Sequence, residues 1–540
     1  MSATGRSRRS GRRRSTIRRG GLAFGALLFL VPGLEAGCGI GEPDEAHTLN
    51  ILAGSELKDL EPMLPDLQRA TGVKLVPTYI GTLEGAERIV AGDPSDAAWF
   101  SHGKYLSLLP GAGSKIVASE RIMLSPVVIG VKRSVADRFG WTANPNVTWK
   151  DIEARAADGS FHFAMTNPAA SNSGFTALIG VASALSGSSD AIDTGTIDVD
   201  ALRAFFRGQT LTAGSSGFLA DAYVRDQDRL DGLINYESIL MQLNAGGKLH
   251  ESLTLIYPRE GIVTADYPFM LLNGAKREAY DKVVAWLRRP EIQRRIMTDT
   301  LRRPAVPGIA LDPRFPTDTL IELPFPSKLE TIDALLTAYL DQIRRPASAV
   351  FVLDVSGSMA GDRIAALKRA LNTLTGTDTS LTGRFARFRT REQVTFITFS
   401  DQVADQRNFT IDDSQPGSSD MTAIRSYVDS LSTLGGTAIY DALDQAYATI
   451  AQDQAADPNR LYSIVLMTDG ENNRGSSYGD FKAAYSRLPD AVRSVHVYPI
   501  LFGEANKDEM GSLADLTGGR TFDATGGGLD AIFKQIRGYQ

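Results

Sequence analysis

The stretch Val350-Phe351-Val352-Leu353-Asp354-Val355-Ser356-Gly357-Ser358-Met359 decides the reading of this chain. Its apolar run reads as a buried strand, and the run stops at an aspartate followed by two serines at alternating positions. One carboxylate and two hydroxyls are thereby set at the carboxyl end of a strand, where open α/β sheets hold their ligands. Three hard oxygen donors on a tight turn suit a hard cation such as Mg2+, which takes oxygen ligands in octahedral geometry and keeps some waters. Two later segments complete the set. Gly435-Gly436-Thr437-Ala438-Ile439-Tyr440-Asp441 offers a hydroxyl just before a helix. Ile464-Val465-Leu466-Met467-Thr468-Asp469-Gly470 is another apolar strand ending in a carboxylate.

This three-part pattern resembles the metal-ion-dependent adhesion site of von Willebrand factor type A (VWA) domains: Asp-x-Ser-x-Ser, a distant Thr, then an Asp after a later strand. Asp354, Ser356, Ser358, Thr437 and Asp469 match it without substitution. The first motif alone is a weak signal, because turns are rich in Asp and Ser; all three parts, in order, are a strong one. The resemblance implies a divalent cation, Mg2+ or else Mn2+ or Ca2+. It also implies that the serines and threonine bind the metal directly while the aspartates often act through water.

Around these motifs, strands expected over 350–353, 394–399, 463–467 and 495–501 alternate with helices over 364–374, 421–431, 439–451, 481–487, 508–517 and 529–537. Such alternation predicts a mostly parallel, doubly wound, Rossmann-like sheet with helices on both faces, spanning residues 347–540.

Upstream, residues 48–311 read as a second α/β region. A strand over 49–52 leads into Ala53-Gly54-Ser55-Glu56-Leu57 and an amphipathic helix over 57–70, closed by Gly72, with the next strand over 73–76. This opening resembles type II solute-binding proteins of ABC transporters, a two-lobed periplasmic-binding-protein-like fold. Further segments extend the likeness in order: Ala97-Ala98-Trp99-Phe100-Ser101, Leu124-Ser125-Pro126-Val127, Thr166-Asn167-Pro168 with Ser171-Asn172-Ser173-Gly174-Phe175, and Ile234-Asn235-Tyr236-Glu237. The pocket residues it implies are Ser55, Ser101, Ser125, Asn172, Ser173 and Tyr236. Hydroxyls and free N–H groups at a helix start suit a small polar solute or an oxyanion. The same serines also serve simply as helix caps, and both readings of that loop stand. All four tryptophans (99, 141, 149 and 286) fall in this region, a sign that two units are joined.

Between them, residues 312–346 are expected to be a linker and connecting helix. Prolines 304, 307, 313, 316, 324 and 326 favour an extended connector; residues 329–343 have helical spacing. This connector predicts two units that fold and respond to ligands separately.

The 540 residues are too many for one ordinary core. Residues 1–37 hold eight arginines and one acid, so the rest is more acidic than the whole-chain net charge of −6. An acidic mature chain argues against nucleic acid as the main partner. The arginine-rich start, the apolar run 22–31 and the small residues before Cys38 read as an export signal over 1–37. Cys38, the sole cysteine, follows Ala36-Gly37. This setting resembles the cleavage box of bacterial lipoproteins and implies acylation and a membrane anchor, with 38–47 as tether; Glu35 departs from the leucine usual there. One cysteine excludes an internal disulfide framework, and the five scattered histidines form no zinc spacing.

The expected function is that of an exported, surface-anchored binding protein, not an enzyme. Its VWA site would engage a protein partner through Mg2+, beside an extracellular solute-binding-like module. The alternative is the receptor of an ABC-type importer, with the VWA domain as docking accessory. Metal-assisted hydrolysis is disfavoured because it needs a nearby general base, and Glu471 is the only near candidate.

Overall fold

The structure, a computed structural model, describes residues 47–316, 320–526 and 528–540. The leader and Cys38 lie outside the described residues. Three sheets organise the rest. In the first, strands run Lys74–Tyr79, Thr48–Ala53, Ala97–Trp99, Pro268–Leu271 and Ala118–Arg121 in spatial order. The early strands pair in parallel and Pro268–Leu271 runs against both its neighbours. In the second, Met123–Lys132 pairs with Gly232–Tyr236, followed by Phe163–Thr166 and Gln209–Ala213. The chain crosses between these sheets at residues 121–123 and 265–268 and returns to the second sheet at Arg303–Pro304, which pairs antiparallel with Met123 and Leu124, so the two lobes are joined by three passages of the chain. Tyr267 sits on the second of these passages with φ of 40°, a conformation costly for a residue with a side chain.

The expected single helix over 57–70 is instead a 3-10 segment, Ser55–Met63, followed by the α-helix Leu64–Thr71. Pro62 lacks the N–H that an α-helical ladder needs, and Pro65 is tolerated only because it falls in the first turn of the new helix.

The third sheet has the order Val403–Thr410, Gln393–Phe399, Ala347–Asp354, Leu461–Thr468, Val497–Leu501, Phe522–Asp523. All pairs are parallel except the edge strand Val403–Thr410, whose polar sequence hid it from the strand reading. The central strand is buried along its whole length. Its residues alternate as a two-sided strand must: Ala349, Phe351 and Leu353 join the core with Leu367, Met421 and Phe533, while Val350 and Val352 join Leu443, Ile450 and Phe481. The fold is thus a two-lobed type II binding-protein-like region followed by a doubly wound VWA-like sheet.

The proline-dense segment does not hold the two regions apart. The described residues from His47 on form one compact unit. Leu323 donates to the Ile262 carbonyl at 2.8 Å, and Phe315 is buried against the second lobe. Proline removes N–H donors but leaves carbonyls and flanking apolar side chains free to pack. The helix Leu329–Ala338 ends in a π-turn, Tyr339–Ile343, and the Tyr339 hydroxyl donates to Gln209 Oε1 at 3.0 Å.

The VWA-like sheet touches both lobes. In lobe one, the Glu87 carboxylate accepts from the Leu381 and Thr382 amides at 2.7 and 3.1 Å. In lobe two, Arg225 donates to the Gly518 carbonyl at 2.8 Å, and Asn167 to the Arg537 carbonyl at 3.3 Å. Gly538 lies so close that a Cβ there would stand 3.0 Å from Gly214 Cα and 2.8 Å from Ala170 Cβ. An apolar cluster runs unbroken from Val128 and Leu233 of lobe two to Phe351 and Phe533.

Candidate functional site

At the carboxyl end of the third sheet, Asp354 closes the central strand and the turn 355–359 folds back over it. The Asp354 carboxylate accepts from the Ser356 amide and from Thr468 Oγ1, each at 2.8 Å. Ser356 Oγ lies 2.9 Å from Ser358 Oγ, which donates to Asp469 Oδ1 at 2.8 Å. Thr437 Oγ1 and Ser358 Oγ lie 3.9 and 4.0 Å from the position a Cβ would take at Gly470, which sets both hydroxyls beside the same turn. Asn473 Oδ1 accepts from the Thr437 amide at 3.0 Å, and Asn472 Oδ1 from the Ile439 amide at 2.8 Å. These bonds fix the start of the helix Ile439–Ala456. All five residues singled out in the sequence therefore come together at one sheet end.

Four of the five (Asp354, Ser356, Thr437 and Asp469) are buried, and Ser358 is exposed. Burial pushes the Asp354 carboxyl above its ordinary range, against the pull of the Ser356 and Thr468 hydrogen bonds, and the neighbouring Asp469 charge adds to it. Two carboxylates and three hydroxyls around one point are a hard-oxygen donor set that fits Mg2+. Among the described residues no group of three or more His, Cys, Asp or Glu side chains has metal-holding geometry. The fit rests on hydroxyls.

Two participants escaped the sequence reading. Thr468 precedes the motif aspartate and looked like strand. Arg363, in the first turn of the helix Asp362–Asn372, donates to Asp469 Oδ2 at 2.5 Å. Nothing in the spacing marks it, since any first-turn residue of that helix is a candidate. Its guanidinium already neutralises the carboxylate that a metal would use. Arg363→Ala is therefore expected to tighten Mg2+ binding by about fivefold, the effect of removing one like charge roughly 6 Å away in a partly wet site. Calorimetric titration checks this; weaker binding would show that the arginine positions Asp469 and does not compete.

The six solute-pocket residues divide. Ser55 and Asn172 line a cavity of about 400 Å3 at the front of the interlobe cleft. Ser125 and Ser173 are engaged inside lobe two: Ser125 Oγ is 3.2 Å from Ser238 Oγ, and Ser173 Oγ is 2.9 and 2.8 Å from Thr166 Oγ1 and Ser216 Oγ. Ser101 and Tyr236 are buried behind the cavity, where the Tyr236 and Tyr267 rings lie 6.0 Å apart. Burial pushes the phenol of Tyr236 well above its ordinary value, and neither tyrosine hydroxyl has a partner of hydrogen-bond geometry. Glu56 and Arg302, not foreseen, join them. Asn172 Nδ2 reaches Glu56 Oε1 at 3.4 Å, and Arg302 donates to Asp59 at 2.6 Å beneath the Tyr267 ring.

Comparison with known proteins agrees with this layout. Residues 349–535 match the model of the von Willebrand factor type A domain, and residues 49–299 that of a bacterial extracellular solute-binding protein. Inter-alpha-trypsin inhibitor heavy chain H3 of Mesocricetus auratus is 32% identical over 135 residues, 24% of this chain. The Homo sapiens protein is 30% identical over the same length. The chain spans about 14% of the length of these curated relatives. Similar solved structures include the periplasmic binding protein AfuA from Actinobacillus pleuropneumoniae (14% identity, TM-score 0.42, 55% of this chain and 98% of that one). The ferric binding protein from Campylobacter jejuni has 15% identity and TM-score 0.42, covering 54% and 98%. The sulfate-binding protein SubI from Mycobacterium tuberculosis has 19% identity and TM-score 0.39, covering 53% and 95%.

Proposed function

We propose that this chain, which joins an extracellular solute-binding module to a VWA domain, is an exported binding protein. In this reading it is anchored at the outer face of the membrane through Cys38 and engages a partner protein at the metal rim. The carrying observation is the asymmetric exposure of the donor set. Ser358 is the exposed member, and beside it the loop at Leu434 holds the side chain that is most open among the exposed large apolar residues, at 78%. That loop is fixed to the site by two backbone bonds, Leu434 N–H to the Val355 carbonyl and Gly357 N–H to the Gly435 carbonyl, each 2.9 Å. A bound Mg2+ would supply an electrophilic point for a carboxylate of the partner. Leu434 would add apolar area to that contact, which is removed from water when the partner docks.

Binding is favoured over catalysis by the donor chemistry. Hydroxyls and buried carboxylates dominate the site, and Glu471 is exposed, away from the Asp354 and Asp469 hydrogen bonds. The importer reading needs the two lobes to open about their crossings. The contacts of the VWA domain with both lobes, through Glu87 on one side and Asn167 and Arg225 on the other, oppose such opening.

Capture on intact cells tests the proposal. One defined surface protein is expected to be retained with Mg2+, released by EDTA, and not retained by Thr437→Ala. Retention that ignores both chelation and the substitution would overturn it.

A further inference from the structure

We infer that this chain holds its own two lobes shut, so that the solute-binding module is a fixed support for the VWA domain and not a hinged capture device. The inference rests on the two-lobed fold and its contacts with the VWA domain, not on the metal reading. Lobes that capture a solute must part and close again about their hinge. Here the groups that bridge the lobes belong to the protein itself.

The bridge centres on the lobe-one helix Thr82–Ala91, whose preceding residue, Gly81, has no side chain with which to cap it. The cap comes from lobe two. Asn172 Oδ1 accepts from the Thr82 amide at 2.6 Å, and Asn172 Nδ2 donates to Glu56 Oε1 of lobe one at 3.4 Å. Asn172 is only 4% exposed, and both ends of its amide are spent on lobe one. A second tie lies elsewhere along the cleft: Gln242 Nε2 of lobe two donates to Asp59 Oδ2 of lobe one at 3.3 Å.

Gly81 carries the same message in the sequence. Its φ of −73° and ψ of 156° suit any residue. A Cβ there would nevertheless stand 2.7 Å from the Ala170 carbonyl oxygen of lobe two. Apart from the chain neighbours of Gly81, that carbonyl is all that lies within 4 Å. Glycine at this position is thus explained by the shut lobes and by nothing inside lobe one. The Ala170 methyl, in turn, lies 2.8 Å from where a Cβ of Gly538 in the VWA domain would stand. Ala170 is wedged between two glycines, one from each of the other bodies.

The VWA domain completes the bracket. Glu87, in the same helix Thr82–Ala91, accepts from the Leu381 and Thr382 amides and from Thr382 Oγ1 at 2.7 Å, at the start of the VWA helix Leu381–Ala386. The VWA domain is also bonded to lobe two through Asn167 and Arg225. Opening the lobes moves that helix away from lobe two. It must therefore break the Asn172 cap and pull the VWA domain off one lobe or the other. Closure needs no solute, and opening has several bonds against it.

Distance measurement between two spin labels on the full chain is the test. Labels at Gln68→Cys in lobe one and Lys150→Cys in lobe two, both exposed positions, read the lobe separation. Cys38→Ser removes the sole native thiol. After exhaustive dialysis, one narrow distance is expected while native mass spectrometry gives the mass of the bare chain. A second, longer distance in the bare chain overturns the inference, and so does a narrow distance found only with a small molecule bound. Gly81→Ala is the central variant: its methyl fits lobe one but not the shut cleft, so the distance distribution should lengthen or broaden. Asn172→Ala removes the acceptor of the Thr82 amide and should speed its hydrogen exchange by about tenfold. A Gly81→Ala distribution identical to that of the parent, or Thr82 exchange unchanged in Asn172→Ala, also overturns the inference.

Discussion

Asp354→Asn should lower Mg2+ affinity at least about a hundredfold while leaving the sheet folded. The side chain is fully buried, so alanine would do two things at once, removing the charge and orphaning the Ser356 amide and the Thr468 hydroxyl. Asparagine keeps an acceptor for the Ser356 amide and sets its N–H2 against the Thr468 hydroxyl, which can rotate to accept, so the main loss is the charge. At an effective dielectric of about 20, a lost unit charge near a divalent ion is worth several kcal/mol, and about 2.7 kcal/mol already corresponds to a hundredfold. Without metal, a buried carboxylate that lacks a cationic neighbour is a burden on the fold. The variant in EDTA should therefore melt no lower than the wild type. Calorimetry and thermal unfolding with and without Mg2+ read both effects; an unchanged Mg2+ affinity would remove Asp354 from the site.

The other large effect lies at the opposite end of the same sheet. Glu392 is 1% exposed and receives both Arg537 contacts at 2.7 Å, a further bond from Arg344, and the Arg389 amide at 3.0 Å. Burial alone would raise its carboxyl; the Arg537 and Arg344 charges, with these hydrogen bonds, outweigh that and hold it below the ordinary carboxylate range. Glu392→Gln leaves two buried guanidinium groups without a counter-charge and should cost about 3 kcal/mol or more of stability. Because the folded value is depressed, the contribution is fully present above about 4.5, the unfolded value. It is lost as pH falls through the lower folded value. Urea unfolding of wild type and variant should thus differ strongly at neutral pH and converge in acid. A gap under 1 kcal/mol at neutral pH would show that the arginines find other partners.

What the sequence made legible follows from how local each signal is. The candidate metal site was readable because its oxygens sit at strand ends and a helix start, where apolar periodicity stops and polar turn residues begin. Arg363 and Thr468 were not, since their roles depend on which neighbouring strand or helix they meet. The edge strand Val403–Thr410 carries an exposed, polar pattern and so resembled loop. The largest difference concerns the joint. Proline density correctly signals missing N–H donors, but it says nothing about Phe315, Leu323 and Phe325, whose packing ties the segment down. The Gly214–Gly538 approach is likewise silent in sequence, because a glycine marks room for a neighbour without saying which one.

The central strand Ala347–Asp354 has a mechanical consequence. It starts beside Arg344, in the clamp with Glu392 and Arg537, and ends at the candidate metal site, so a pull applied there would be delivered along its axis. Both its neighbours run parallel to it and are bonded over nearly its full length. Tension in that direction loads these rungs together, in shear, and cannot peel them one at a time. The path then continues through the arginine clamp into the docked lobes, so under the proposed function the solute-binding half would serve as the abutment against which the VWA half is pulled.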